Sequence, residues 1–167
     1  MACNYGCPKG FSTGSGKSTI GARIEMDRTV ENIEEIVLAV RDQDEAVALF
    51  EDLLGLEFKD SWTVPADAMR VKCAKIGDTQ FHIVTSLSPD AVIDRFITER
   101  GEGIHHIAFR VRNLDETISR LKEKNMKLVP ETPRTRENKR YVFVHPRSAH
   151  GVLIELVEIR QEGSNVG

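Results

Sequence analysis

The chain repeats itself once. The stretch NIEEIVLAVRDQDEAVALFEDLLGLEF, from Asn32, aligns with GIHHIAFRVRNLDETISRLKEKNMKLV, from Gly103, at an offset of 71 residues that carries Ile33 onto Ile104. Ile36 then falls on Ile107, Val40 on Val111, Arg41 on Arg112, Asp44 on Asp115, Glu45 on Glu116 and Val47 on Ile118. Each copy reads as a strand, a short polar turn and an amphipathic helix. Three strand-like runs follow in each half: LEFKDSWTV, MRVKCAKI and TQFHIVTSL in the first, MKLV, KRYVFVHP and GVLIELVEI in the second. Residues 89–100 read as a linking helix. The expected fold is therefore α+β: two βαβββ modules, about 31–88 and 101–160, side by side in one cupped mixed β-sheet. A solenoid would need three or more copies. Helical spacing puts Ala46, Leu49, Phe50, Leu53 and Leu54 on the inner face of the first helix, and Leu114, Ile118 and Leu121 on that of the second.

Composition narrows the function classes. With 167 residues, 40% apolar and 29% charged, the chain is long enough for a sizeable core. A net charge of −3 argues against nucleic acid or an anionic membrane as a bulk partner. No apolar stretch approaches the roughly 20 residues of a membrane span. Three cysteines (Cys3, Cys7 and Cys73) cannot all pair with one another, which fits a reducing, cytoplasmic compartment.

Residues 1–30 differ from the rest: Gly- and Ser-rich, with no acid before Glu25. They read as a disordered leader or an artificial extension. If residues 1–25 are instead a transit peptide, the destination becomes the mitochondrial matrix. The segment TGSGKST imitates a phosphate-binding loop, but that pattern needs a glycine at position 11, where Phe11 stands. No apolar strand precedes it either, so nucleotide binding is not expected.

Four polar residues interrupt the apolar strands, and they fall in repeat-related pairs. Glu35 matches His106, and His82 in QFHIV matches Glu155 in VLIELV. Strand alternation puts Glu35, Val37 and Ala39 on one face, and His106, Ala108 and Arg110 on the matching face. A charge or imidazole in such a run must be paired, neutralised or metal-bound, because burying it alone costs several kcal/mol. A pseudo-twofold axis would bring all four together. Two imidazoles and two carboxylates suit a divalent transition metal: Co, Zn, Ni or Mn, with Fe also open.

These positions, with the segments GEGIHHIAFRV and HPRSAHGVLIELVE, resemble the vicinal oxygen chelate superfamily, and within it the methylmalonyl-CoA epimerases. The likeness runs from about Ile33 to Glu158. It implies Glu35, His82, His106 and Glu155 as metal ligands, an acyl-CoA as the small-molecule partner, and a homodimer. Two positions are permuted: the family usually has His where Glu35 stands, and Gln or Glu where His82 stands. Some epimerases also carry a glutamate on the third strand of the first half, whereas AMRVKCAKI has no carboxylate.

The implied activity is metal-dependent inversion of the α-carbon of a 2-methylmalonyl-CoA-like thioester through a metal-chelated enolate. It needs two groups that exchange protons with that carbon. Glu155 and Glu35 are the expected pair, with Lys72 and His105 behind them; alternation points His105 away from the site. Arg134, Arg136, Lys139 and Arg147 fit either CoA phosphates or a solvated loop. A glyoxalase I-type lyase and a metal-free ligand-binding protein of the same fold stay open, as does an Fe(II) dioxygenase on His82, His106 and Glu155.

Overall fold

The computed structural model describes residues 29–160. All but the last two positions of the expected leader lie outside that range, as do Cys3, Cys7 and the TGSGKST segment. In chain order the elements are β1 (Val30–Ala39), α1 (Gln43–Leu54), β2 (Asp60–Val64), β3 (Met69–Ile76), β4 (Thr79–Ser86) and α2 (Val92–Arg100). The second half continues with β5 (Gly103–Val111), α3 (Leu114–Glu123), β6 (Leu128–Arg136), β7 (Lys139–Val144) and β8 (Ile154–Ile159). Each half is βαβββ, as the repeat requires.

The strands make one eight-stranded sheet in the order β2-β3-β4-β1-β5-β8-β7-β6. Its centre is the antiparallel pair β1–β5, in which Ile36 faces Ile107, its own repeat equivalent. A residue can face its equivalent only where the pseudo-twofold axis passes, so the axis runs through this pair. On either side, β4 runs parallel to β1 and β8 parallel to β5. The same symmetry sets Val37 beside His82 and Ala108 beside Glu155.

The two repeated helices cover one face of the sheet. Asp42 caps α1 by accepting from the N–H groups of Asp44 and Glu45, each at 3.0 Å, and Gly55 ends it at φ +64°. That left-handed turn suits glycine, which has no Cβ to clash. Here the expected inner face needs correction. Ala46 and Phe50 do pack with Val47 on Val40 and Ile83, but Leu49, Leu53 and Leu54 are 56–67% exposed. The helix is rotated so that Gln43, Ala46, Val47 and Phe50 meet the sheet. Buried Gln43 is tolerated because its amide donates to the carbonyls of Ile83 (2.7 Å) and Arg70 (3.2 Å), while its oxygen accepts from Arg70 Nε.

In α3 the expectation holds. Asn113 caps the helix, and Leu114, Ile118 and Leu121 pack on Val111, Leu128, Val142 and Leu156. Leu114 is wholly buried. Truncation of such a side chain loses transfer free energy and leaves a cavity, so Leu114→Ala should cost about 2–5 kcal/mol, read as a lowered urea midpoint.

The opposite, concave face is where the halves diverge. Ile93, Ile97 and Phe96 of the linking helix α2 pack on it over the first half, against Val37, Val64, Val71 and Val84. Beside that helix a cleft of 1130 Å³ spans both halves, lined by Trp62, Met69 and Val84 of the first and by Tyr141, Phe143 and Val157 of the second. All four expected residues line the cleft, Glu35 and His106 from the central pair and His82 and Glu155 from the strands that flank it.

Candidate functional site

The ladder register explains why these side chains converge. Glu35, Ala108 and Glu155 stand abreast on β1, β5 and β8, and His82, Val37 and His106 stand abreast on β4, β1 and β5. Residues abreast in a sheet point to the same face. Short Val37 and Ala108 occupy the middle, both buried, and leave the space above them to the four longer side chains at the corners.

His106 is the hub. Its Nε2 lies 3.1 Å from Glu155 Oε2 and 3.4 Å from Glu35 Oε1. Glu35 Oε2 in turn lies 3.4 Å from His82 Nδ1. One donor atom from each of Glu35, His106 and Glu155 falls within 4.8 Å of the other two. His82 joins that trio through Glu35 rather than directly. Rings wall the site edge-on: Trp62 against His82 (centroids 5.3 Å apart) and Phe143 against His106 (5.5 Å).

Two further residues reach the cleft through irregularities that alternation could not foresee. Between the facing pairs Ile33/Phe109 and Glu35/Ala108, Glu34 has no partner; between Val37/His106 and Leu38/Ile104, His105 has none. Both are β-bulges, which re-aim a side chain. They are repeat equivalents, so the pseudo-twofold relates them. His105, expected to point away, instead lines the cleft, with its Nδ1 2.8 Å from His106 Nδ1 and its ring edge-on to Phe96. Glu34 is 2% exposed and paired with Arg110 Nε at 2.9 Å and Lys139 Nζ at 3.0 Å. Sequence reasoning passed over Glu34 because a lone charge beside another reads as a solvated face.

Other expectations divide. Lys72 is not in the site: its Nζ lies 2.9 Å from Asp44 of α1, on the helix-covered face. Its ladder partner Ile83 sits in the core under α1, which puts both on that side. Arg134, Arg136 and Lys139 line the cleft, whereas Arg147 is not among its lining residues.

Burial and neighbours pull the titrating groups apart. Burial alone would raise Glu35, but the hydrogen bond from His106 and the positive charges of His106 and Lys139 outweigh it and hold its carboxyl at about 2. Burial pushes Glu155 up. His106 goes the other way from most buried histidines: burial disfavours its charge, yet hydrogen bonds to Glu155 and Glu35 lift it to about 9. Burial, with the nearby charges of His106 and Arg100, takes His105 down to about 4.

The donor set fits a borderline divalent ion. Two carboxylates turn toward the His106 imidazole, whose proton they hold on, with His82 on the far side of Glu35, so a positive charge already sits where a metal would. This has a measurable consequence in protein stripped of metal. A histidine raised from about 6.5 to about 9 contributes stability that is complete below pH 6.5 and is lost as pH rises toward 9. The melting temperature of stripped protein should therefore fall across pH 6.5–9. A bound divalent ion, which replaces that proton, should flatten the slope.

The family description "Glyoxalase/Bleomycin resistance protein/Dioxygenase superfamily" matches residues 34–144. The human protein named methylmalonyl-CoA epimerase, mitochondrial, is 28% identical over 123 residues, 72% of this chain and 70% of the relative. Among solved structures, methylmalonyl-CoA epimerase from Mycobacterium tuberculosis superposes with a TM-score of 0.73 at 31% identity, covering 84% of this chain and 95% of that one. A variant of the Streptomyces coelicolor methylmalonyl-CoA epimerase, in complex with 2-nitronate-propionyl-CoA, gives 0.70 at 25% identity, covering 79% and 99%.

Proposed function

Since this chain belongs to the glyoxalase/bleomycin resistance/dioxygenase superfamily, we propose that it is an epimerase acting on a 2-methylmalonyl-CoA-like thioester. One observation carries the reading: Glu35, His106 and Glu155 present donor atoms within 4.8 Å of one another on the floor of an open cleft. The likeness to epimerases of human, mycobacterial and Streptomyces origin supports it.

Glu35, His106 and Glu155 would hold one divalent transition metal (Co, Zn, Ni or Mn), with His82 as fourth donor beside Glu35. The chemistry such an ion supplies is withdrawal of charge from the substrate's oxygens as the α-proton leaves. The protein does the rest. Glu35 on β1 and Glu155 on β8 flank His106, so an α-carbon above His106 lies between two carboxylates. One takes the proton; the other returns one to the opposite face. Trp62 and Phe143 close the sides of the site and exclude water from the enolate. Arg134 and Arg136 on β6, at the cleft, suit CoA phosphates.

By the same resemblance the working form would be a homodimer, and the cysteine usage that fits a reducing compartment makes the cytoplasm the proposed location. The mitochondrial names of several relatives make the matrix the alternative. No helix among the described residues is long and apolar enough to cross a membrane.

The test is a substrate panel with metal-loaded protein. Hydrogen–deuterium exchange and inversion at the α-carbon of methylmalonyl-CoA support the proposal. Turnover of methylglyoxal plus glutathione with no such exchange would favour the lyase, and purified protein that never takes up metal would favour a ligand-binding role.

A further inference from the structure

Glu34 is buried, charged and outside the proposed donor set, and its contacts run toward that set. We infer that Glu34 is a positioning residue: acting through Gln80, it determines which nitrogen of His82 carries the proton. The inference rests on the reading of His82 as a metal donor.

The argument uses only what each group can donate or accept. Glu34, ion-paired with Arg110 and Lys139, is a carboxylate and can only accept. Gln80 lies beside it, Nε2 to Glu34 Oε1 at 3.4 Å, so Gln80 must present its NH2 group there. Its oxygen is thereby turned the other way, onto His82 Nε2 at 3.1 Å. An amide oxygen can only accept, so Nε2 carries the hydrogen. The other nitrogen, Nδ1, keeps its lone pair and aims it toward Glu35 Oε2, 3.4 Å away. Two acceptors face each other across a gap that a cation fits. Without the lock, Nδ1 would take the proton, donate to Glu35 and close that gap.

The symmetry of the fold supports this assignment. Glu34 and His105 are repeat-equivalent bulge residues, and each serves an imidazole. His105 contacts His106 directly at Nδ1, leaving Nε2 toward the carboxylates; Glu34 does so one residue removed, through Gln80. Metal-binding histidines are held this way by a partner on the second nitrogen.

The test reads the tautomer itself. In metal-stripped protein with 15N-labelled histidine, long-range 1H–15N spectra should show His82 wholly as the Nε2–H form. Glu34→Gln leaves either end of the amide free to meet Gln80, so the Nδ1–H form should appear and cobalt(II) affinity should fall about 10–100-fold. Combining Glu34→Gln with Gln80→Glu rebuilds the chain in reverse order, because a carboxylate at position 80 accepts from Nε2–H; both readouts should recover. Should Glu34→Gln fail to fold, Gln80→Leu leaves the ion pairs of Glu34 intact and should give the same switch to Nδ1–H. A wild type already in the Nδ1–H form, or either single variant that stays wholly Nε2–H, overturns the inference. Wild-type protein that binds no cobalt would sink the metal reading, while the spectra would still decide the tautomer.

Discussion

Glu35→Gln is expected to lower epimerase turnover about 10²–10⁴-fold, the usual cost of losing a general base, while metal binding weakens only modestly. The substitution keeps size and shape. Its amide oxygen can still coordinate an ion or accept from His106, whose Nε2 lies 3.4 Å from Glu35 Oε1 in the native site. What the amide cannot do is take the α-proton. Glu35→His is the informative partner, since it puts at this place the nitrogen donor that the family resemblance implies. If Glu35→His binds metal well yet turns over slowly, the carboxylate is needed for chemistry and not for holding the ion. Metal content by atomic absorption, measured beside kcat on methylmalonyl-CoA, separates the two effects. Full turnover by metal-loaded Glu35→Gln would assign Glu35 to ligation alone. The second proton-transfer group would then be sought at His105, which the bulge in β5 brings into the same cleft.

That bulge also marks the boundary of what the sequence made legible. Regular features were readable: seven matched positions of the repeat predicted two βαβββ halves, and the pairing of Ile36 with Ile107 realises that symmetry in the ladder. Convergence of Glu35, His82, His106 and Glu155 followed from the same symmetry, because equivalent residues near a twofold axis must approach one another. Irregular features were not. A strand with one extra residue has no signature in an apolar–polar alternation, so the inward turn of His105 and the role of Glu34 were hidden. Helix rotation was similarly underdetermined in α1. Seven apolar residues crowd its twelve positions, several faces are nearly equivalent by hydrophobicity, and burial of a polar one, Gln43, was decided by two backbone carbonyls from distant strands. The linking helix was visible in sequence, but not that it packs on the concave face over the first half and borders the cleft.

His106→Ala should abolish metal retention, and it tests the hub of the site more directly than any other change. The imidazole stands between two carboxylates, with Nε2 3.1 Å from Glu155 and 3.4 Å from Glu35. Removing it takes away a nitrogen donor and leaves two acids whose oxygens lie within 4.8 Å of one another with no cation between them. Like charges so close cannot both stay ionised in a buried site, so one carboxyl takes up a proton in place of the ion. The loss of metal affinity should therefore exceed the 10–100-fold typical of losing an outer partner, and activity should vanish with the metal. Stability offers an independent check. Because the charge that His106 supplies is gone, the fall in melting temperature of stripped protein between pH 6.5 and 9 should also disappear. A variant that keeps both its metal and that pH slope would show that His106 is neither the hub of the donor set nor the charge that balances Glu35 and Glu155, and the proposed centre would have to be rebuilt around His82.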